Sequence, residues 1–337
     1  MENKVPEIKN SCVKFIYNGT AKKVSIAGDF NDWEKEPLFQ IKENEWAITK
    51  EFPLNARFDY KFIVDKEEML DPLNPNKTEG GFGFNSELQM PRFHYPIATK
   101  FHQNIPHGTI KKYTIDGSNY CNCKRDVYLY KPYKSPHKKP PLLIFQDGLE
   151  YIIFGSARNT LDYLTYKEEI PDTYALFVDI RKENRPKEYS PNSCYGEFLA
   201  ETIQFAEKKV NIKFDKKYLV GVSLGGFVSV ALLLEYPTLF NGAISQSGAF
   251  LFEKETDFGN LNKKIIYMDS GKYEKKINSS LNILNLNKKY KQKFKKSGAT
   301  VSCKEWNDGH SWGNWKAHLP LALQYIFTSG HTKHNTK

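Results

Sequence analysis

The stretch with the clearest chemical potential is Gly221-Val-Ser-Leu-Gly225, which lies between the apolar run 218–220 and the apolar segment 227–234. A G-x-S-x-G pentapeptide between a strand and a helix is typical of a sharp turn that holds a serine hydroxyl above a sheet. The backbone N–H of Leu224 then lies at a helix N-terminus, where partial positive charge favours an oxyanion. We predict that Ser223 is a nucleophile, against the plainer interpretation of a surface serine in a tight turn.

A serine hydroxyl needs a base, and the best candidate is His310 in Asn307-Asp-Gly-His-Ser-Trp312. It follows a predicted strand over 300–304 and precedes a last helix predicted to begin at about Trp312. A loop at this point lets the imidazole reach back to the serine, although a helix-capping turn would also place a histidine here. The neighbouring Asp308 is too close in sequence to orient the same ring easily.

The histidine in turn needs a carboxylate, which fixes its tautomer and stabilises the imidazolium. In the chain order serine, acid, histidine, this acid follows the strand predicted over 264–268. Two residues qualify by position: Asp269 at the strand end, and Glu274 further along the loop.

A second oxyanion donor is expected from the loop after the predicted strand 141–145. That loop reads Gln146-Asp-Gly-Leu-Glu150, so the N–H of Leu149 is the predicted partner of the Leu224 N–H. Gly148 permits a close turn, and Asp147 is expected to hydrogen-bond to the loop backbone.

Strands and helices alternate over the second part of the chain, which predicts a mainly parallel sheet with both faces covered. Function in such sheets gathers at the carboxyl ends of the strands, where Ser223 lies. The other predicted elements are strands at 126–130, 174–178 and 242–246 and a helix at 195–206.

The first hundred residues instead show β-type alternation, with short strands predicted at 13–17, 23–27, 46–50 and 58–64. Turn clusters separate them, which is typical of an immunoglobulin-like sandwich. Gly28-Asp-Phe-Asn-Asp-Trp33, Tyr60-Lys-Phe-Ile-Val-Asp65 and Asn85 resemble the early-set module of glycogen-branching enzymes, isoamylases and the AMP-activated kinase β subunit.

That resemblance implies an α-glucan site, for which Trp33, Lys61 and Asn85 are the matching candidates. The second platform tryptophan is expected after Asp65, where this chain has Lys66-Glu-Glu-Met-Leu70. A glutamate offers no flat apolar face to a sugar ring. The favoured interpretation is therefore a sandwich that packs against or lids the catalytic domain.

The catalytic part resembles the esterase family of enterochelin esterases, feruloyl and acetyl-xylan esterases, esterase D and mycolyltransferases. The matching residues are Ile105-Pro-His-Gly-Thr109, Leu142-Leu-Ile-Phe-Gln-Asp-Gly148, Arg185-Pro-Lys-Glu-Tyr189, Gly221-Val-Ser-Leu-Gly-Gly226, Ser245-Gln-Ser-Gly248, Gly271-Lys-Tyr-Glu274 and Asp308-Gly-His310. The Gly-x-x-acid pattern of this family favours Glu274 as the acid, with Asp269 as the alternative. An early-set domain before such a hydrolase is the arrangement of enterochelin esterases.

The resemblance implies an α/β-hydrolase fold preceded by an all-β immunoglobulin-like sandwich. We predict a sandwich over 1–92, a linker and first strand region over 93–120, a catalytic domain over 121–330 and a tail over 331–337.

Three further residues are candidates for contacting substrate: Arg185, Tyr189 and Trp312. An arginine at the functional edge suits catecholate oxygens or a carboxylate, but pairing with Glu188 or Glu197 would instead make it a loop-shaping residue. Trp312 either lines an aromatic pocket or packs in the core.

Composition and charge bear on which partners and which cellular location the protein has. The 337 residues carry a net charge of +10, and no nucleic-acid motif accompanies it. Much of the excess lies in the lysine-rich stretch 288–296, for which a solvated helix face is the favoured interpretation and a field that gathers an anionic substrate is the alternative. Neither a long apolar run nor a signal core is present, which predicts no membrane span and a cytoplasmic location. The five scattered cysteines, Cys121 and Cys123 among them, favour reduced thiols and no metal site.

The sequence therefore predicts a serine carboxylic-ester hydrolase that needs no cofactor, with Ser223, His310 and Glu274 as its triad. The expected substrate is a siderophore ester of the enterochelin kind, and the alternative is an acetyl or feruloyl ester of a carbohydrate. An α-glucan-binding adaptor with a secondary hydrolase domain is the third hypothesis. The oligomeric state is left open.

Overall fold

The computed structural model describes residues 6–116, 124–134, 139–180, 183–190, 194–253, 256–277 and 280–329. Two compact units make up this part of the chain. The first comprises the residues up to Tyr95 together with Ser270–Leu284 and Glu305–Trp315, and the second comprises the rest. The loops that carry Glu274 and His310 therefore belong to the same compact unit as the N-terminal sandwich. Cys121 and Cys123 fall outside the described residues.

The N-terminal unit is a β-sandwich, which confirms the predicted fold of this part. Among its described residues, one sheet has the order β1-β2-β6-β5 and the other β4-β3-β7-β10-β9, with β8 paired to β7. The strands are β1 Glu7–Lys9, β2 Cys12–Asn18, β3 Val24–Gly28, β4 Glu36–Pro37, β5 Phe39–Lys42, β6 Glu45–Glu51, β7 Arg57–Val64, β8 Glu67–Met69, β9 Lys77–Gly80 and β10 Gly83–Gln89.

Aromatic side chains form the centre of this sandwich. Phe15 of β2 lies 5.0 Å, centroid to centroid, from Tyr60 of β7, and Phe58 lies 4.9 Å from Phe52. All four rings are buried, and Phe15, Phe58 and Tyr60 occupy alternating apolar positions of their strands. The edge-to-face contact of Phe15 with Tyr60 adds to the free energy gained by burying the rings.

The second unit contains an α/β sheet, with the order β11-β12-β14-β13-β15-β16-β17-β18 among the described strands. Strands β14, β13, β15, β16 and β17 run parallel, whereas β11 and β12 form an antiparallel edge. The strands are β11 Thr109–Asp116, β12 Lys124–Lys131, β13 Leu142–Phe145, β14 Tyr174–Val178, β15 Lys217–Val222, β16 Gly242–Gln246, β17 Ile265–Gly271 and β18 Thr300–Trp306.

Every residue of β13, β14 and β16 is buried, as expected for parallel strands covered on both faces. The helices are α1 Gly148–Ile153, α2 Ala157–Tyr166, α3 Arg185–Glu188, α4 Tyr195–Val210, α5 Leu224–Glu235, α6 Ile283–Lys296 and α7 Trp312–Thr328. Across the described ranges, no helix combines the length and apolarity that a membrane crossing requires.

Candidate active site

The predicted strand–turn–helix around Ser223 is present. Strand β15 ends at Val222 and α5 begins at Leu224, so Ser223 alone makes the turn, with φ of 54° and ψ of −121°. Positive φ is costly for a residue with a Cβ and persists only where the surroundings enforce it. Here the Ser223 N–H donates to the Gln246 carbonyl at 2.8 Å, and its carbonyl accepts from Ala249 at 3.0 Å. The side chain is partly exposed.

Gly221 is required at this turn because a Cβ there would lie 2.1 Å from the carbonyl oxygen of Gly225. The carbonyl group of Gly225 belongs to the backbone, which cannot move aside cheaply. We expect Gly221→Ala to lower the free energy of unfolding by about 3 kcal/mol, at the upper end of overpacking costs. Urea unfolding followed by circular dichroism measures this. Gly80→Ala is the control, since its Cβ meets only Trp312 at an ordinary 3.5 Å; an equal loss in both variants would contradict the explanation.

The loop after β13 packs against this turn. A Cβ on Gly225 would lie 2.7 Å from Oδ2 of Asp147, and a Cβ on Gly148 would meet the backbone of Phe177 at 2.3 Å. Leu149 follows within the first turn of α1, as Leu224 does in α5. The N–H groups of a helical first turn have no intrahelical acceptor. The fold therefore places both predicted oxyanion donors at adjacent carboxyl ends of parallel strands.

The sequence predicted that the Asp147 side chain hydrogen-bonds to the backbone of its own loop, but the carboxylate instead binds Arg185. Its carboxylate accepts two hydrogen bonds from Arg185, from Nε at 2.7 Å and from Nη2 at 2.8 Å. The sequence had suggested Glu188 or Glu197 as the partner of Arg185, but Glu188 pairs with Arg125 at 2.6 Å. The bidentate pair with Asp147 fixes the loop that carries the predicted oxyanion donor Leu149, while a quarter of the Arg185 side chain remains exposed.

Tyr189, a predicted substrate contact, is fully buried. Its hydroxyl oxygen accepts the N–H of Asp147 at 3.0 Å, and burial raises the pKa of this phenol well above its ordinary value. A side chain with no exposed surface cannot touch substrate in this conformation. Tyr189 instead supports the loop that Arg185 also holds.

The histidine and acid lie together in the other compact unit. Nδ1 of His310 lies 2.8 Å from Oε2 of Glu274, whose other oxygen accepts the Gly271 N–H at 2.6 Å. Glu274 is fully buried, and 17% of the His310 side chain is exposed. Because a carboxylate only accepts, Nδ1 carries the proton and the Nε2 lone pair is the basic site of the ring.

Asp269, the alternative acid, is buried within β17, two residues before the strand ends, and belongs to the second unit. Burial and the neighbouring Asp269 carboxylate raise the pKa of the Tyr267 hydroxyl, and the backbone carbonyl of Asp269 accepts the N–H of Ser247 at 2.8 Å. The geometry therefore favours Glu274 as the partner of His310.

Sequence reasoning missed Asn314, which lies in the first turn of α7. Its Nδ2 donates to the Gly309 carbonyl at 2.8 Å and lies 3.4 Å from Oε1 of Glu274, so it ties the histidine loop to the acid. An asparagine in a helical first turn gave no signal of that role. Trp312 is almost fully buried and packs edge-on against Trp315, which in turn contacts the His310 ring at 5.0 Å.

The three candidate sugar-binding residues have other partners. Trp33 is 40% exposed and its Nε1 donates to Asp29 at 3.2 Å. Lys61 pairs with Glu68 at 3.2 Å, and Asn85 donates to the buried Asp59 at 3.0 Å. Of these three candidates, Trp33 is the one that offers an exposed aromatic face.

Asp29 is buried beside this histidine loop, and a Cβ on Gly309 would lie 2.2 Å from its Cγ. Burial, reinforced by the Asp59 carboxylate, raises the pKa of Asp29 to about 7. Asp308 also faces it, and burial raises the pKa of that carboxyl as well, whereas Arg57 lowers both.

The folded protein therefore binds more protons at Asp29 than the unfolded chain between pH 4 and pH 7. Stability contributed by this group is present at low pH and is lost as the pH rises towards 7. We expect the melting temperature of Asp29→Asn to fall less from pH 5 to pH 8 than that of the wild type, measured by thermal denaturation. Parallel curves would contradict the assignment.

The fold places this chain among the α/β-hydrolases that carry an N-terminal immunoglobulin-like sandwich. The chain belongs to the esterase family described as "Putative esterase", whose model matches residues 118–326, and this membership supports a carboxylic ester hydrolase. Residues 11–90 match the model of the glycogen recognition site of AMP-activated protein kinase.

Single proteins are also similar in sequence to each of these two regions. An uncharacterized Bacillus subtilis protein, YjcH, is 27% identical over 214 residues, which cover 59% of this chain and 88% of that protein. The rat AMP-activated protein kinase subunit beta-1 is 31% identical over 83 residues, 25% of this chain and 30% of that subunit.

Among solved structures, the ferric enterobactin esterase of Salmonella typhimurium has a TM-score of 0.80 at 17% identity and covers 96% of this chain and 95% of its own. A ferulic acid esterase has a TM-score of 0.53 at 14% identity and covers 66% of this chain and 98% of its own. At sequence identities of 14% and 17%, these structural similarities establish the fold of the chain.

Proposed function

We propose that this protein is a serine esterase in which Ser223 attacks the ester carbonyl and His310 accepts the serine proton. The observation that carries the proposal is the positive-φ serine between β15 and α5, in a chain that also holds a histidine on a buried glutamate. Glu274 keeps Nδ1 of the ring protonated and stabilises the imidazolium. The N–H groups of Leu149 and Leu224 hold the oxyanion.

The reaction balances without a cofactor. Attack by the Ser223 oxygen on the carbonyl carbon gives a tetrahedral oxyanion, and its collapse breaks the C–O bond to the alcohol, which leaves with the proton from His310. Water then attacks the acyl-enzyme while His310 acts as the base again, and the acid product leaves. Each half-reaction moves one proton through Nε2.

The substrate that we propose is a siderophore ester of the enterobactin kind, hydrolysed in the cytoplasm to release its iron. Two observations support it. The fold neighbours titled enterobactin esterase match the sandwich and the hydrolase together, over 96% of this chain. The net charge of +10 favours an anionic substrate such as an iron catecholate. Arg185, which is partly exposed and pairs with Asp147 of the Leu149 loop, is the candidate residue for binding the charged oxygens of this substrate.

An acylated carbohydrate is the second candidate, because the ferulic acid esterase shares the hydrolase fold. An α-glucan adaptor has less support, since Lys61 and Asn85 are engaged by Glu68 and Asp59.

A substrate panel tests the proposal. Purified protein is assayed on p-nitrophenyl acetate and butyrate, ferric enterobactin, feruloyl sugars and acetylated xylan, with and without an alkyl fluorophosphonate. We expect phosphonate-sensitive turnover of the generic esters and the highest kcat/KM on ferric enterobactin. A preference for feruloyl or acetyl sugars would transfer the assignment to the carbohydrate. Retention on amylose resin by a protein inert on every ester would favour the adaptor.

A further inference from the structure

A buried arginine of the sandwich contacts the loop that carries His310. The guanidinium of Arg57, in β7, has no exposed surface. Its Nη1 donates to Oγ of Ser311 at 2.7 Å and lies 3.6 Å from Oδ1 of Asp308. These two residues flank Gly309 and His310. One cation therefore reaches both sides of the proposed base.

The backbone of the loop is held at the same place. The Arg57 N–H donates to the carbonyl of Asn307 at 3.0 Å. A Cβ on Gly313 would lie 2.0 Å from Cζ of Arg57, so the chain passes the guanidinium at a distance that only glycine permits. The loop is thus hydrogen-bonded to β7 at 307 and packed against the Arg57 side chain at 313.

Carboxylates hold the arginine itself. Its Nε donates to Glu87 at 2.6 Å, and its Nη2 pairs with Asp59. Burial by itself would lower the pKa of Arg57, but Asp59, Glu87, Asp308 and the Tyr95 hydroxyl raise it well above its ordinary value. The guanidinium is therefore permanently charged, and its planar fork fixes the direction of each hydrogen bond.

We propose that Arg57 is a positioning residue for His310, and that the sandwich acts in catalysis by holding the histidine loop in place. This inference rests on the proposed function, in which His310 is the base. It gives the N-terminal domain a role that does not need sugar binding: one face of its sheet contributes Arg57, Asp59 and Glu87 to the support of the loop.

Two variants test the proposal, Arg57→Lys and Ser311→Ala. Lysine keeps the charge but loses the fork, and alanine removes only the hydrogen bond from Nη1 to the loop. The control is Lys50→Met, which breaks another ion pair of the sandwich, with Glu36 at 2.6 Å. Steady-state kcat and KM on p-nitrophenyl butyrate are measured per active site, and sites are counted by end-point phosphonate labelling so that unfolded molecules are excluded.

We expect kcat per labelled site to fall by about 100-fold in Arg57→Lys, since a displaced catalytic group costs about this much, and by about tenfold in Ser311→Ala. KM stays within about twofold, because neither side chain touches substrate. Lys50→Met keeps the wild-type kcat.

Wild-type kcat per labelled site in Ser311→Ala and Arg57→Lys would overturn the proposal and leave Arg57 a purely structural role. Should Arg57→Lys fail to fold, Ser311→Ala decides alone. Failure of the proposed function has a different signature, because Ser223→Ala would then hydrolyse esters as fast as the wild type.

Discussion

Ser223→Ala is expected to lower kcat on p-nitrophenyl butyrate by about 10⁴-fold or more, which is the usual cost of removing an acyl-transfer nucleophile. The residual rate would come from the oxyanion donors and substrate binding, which the substitution leaves in place. Because alanine meets the same positive φ as serine, the melting temperature should change little.

Ser11→Ala is the matched control for that prediction. Ser11 is a partly exposed sandwich serine whose hydroxyl donates to Glu51 at 2.7 Å, so its loss should leave kcat unchanged. Equal activity of Ser223→Ala and wild type on every ester would contradict the nucleophile assignment.

Glu274→Gln should have the second largest effect, a fall in kcat of about 10³–10⁴-fold with the fold retained. The amide that replaces Oε2 presents either a donor, which opposes Nδ1–H, or an acceptor without charge, so the imidazolium loses its stabilisation. Parallel kinetics on Asp269→Asn provide the comparison. We expect that variant to keep kcat within about tenfold, because the carboxylate at Nδ1 of His310 is that of Glu274. The reverse order of effects would make Asp269 the acid.

Local patterns sufficed for most of the fold. Strand β14 has the predicted bounds, β15 and α5 flank Ser223 as the pentapeptide required, and α7 begins at Trp312. These elements are encoded by alternation, apolar runs and glycines that act over a few residues. Strands β8 and β9 were not predicted, because their mostly polar residues give little periodic signal.

The support of the site was harder to predict, because it depends on contacts between distant segments. Arg57, Asp59 and Lys61 alternate along β7, a pattern that predicts a solvent-facing side of the strand. In the structure, Arg57 and Asp59 are buried. Arg57 meets Ser311 across 254 residues of sequence. Likewise, Asp147 and Arg185 each had a plausible partner nearby in the chain, and the fold pairs them with each other.

The candidate acid illustrates the limit of spacing arguments. Position after β17 left Asp269 and Glu274 open, and only the family pattern favoured the second. The turn that brings Glu274 back towards Gly271 separates the two, since the Gly271 N–H and His310 Nδ1 then meet its two oxygens. Such a turn has no periodicity that a sequence pattern reveals.

Covalent labelling tests the central claim most directly. Wild-type protein is incubated with an alkyl fluorophosphonate, digested and analysed by peptide mass spectrometry, with Ser223→Ala and His310→Ala in parallel. We predict one phosphonyl group per wild-type chain, located on Ser223, much slower labelling of His310→Ala and none of Ser223→Ala. Hydrolysis that continues with Ser223 unmodified, or a label on another residue that abolishes activity, would contradict a mechanism built on Ser223.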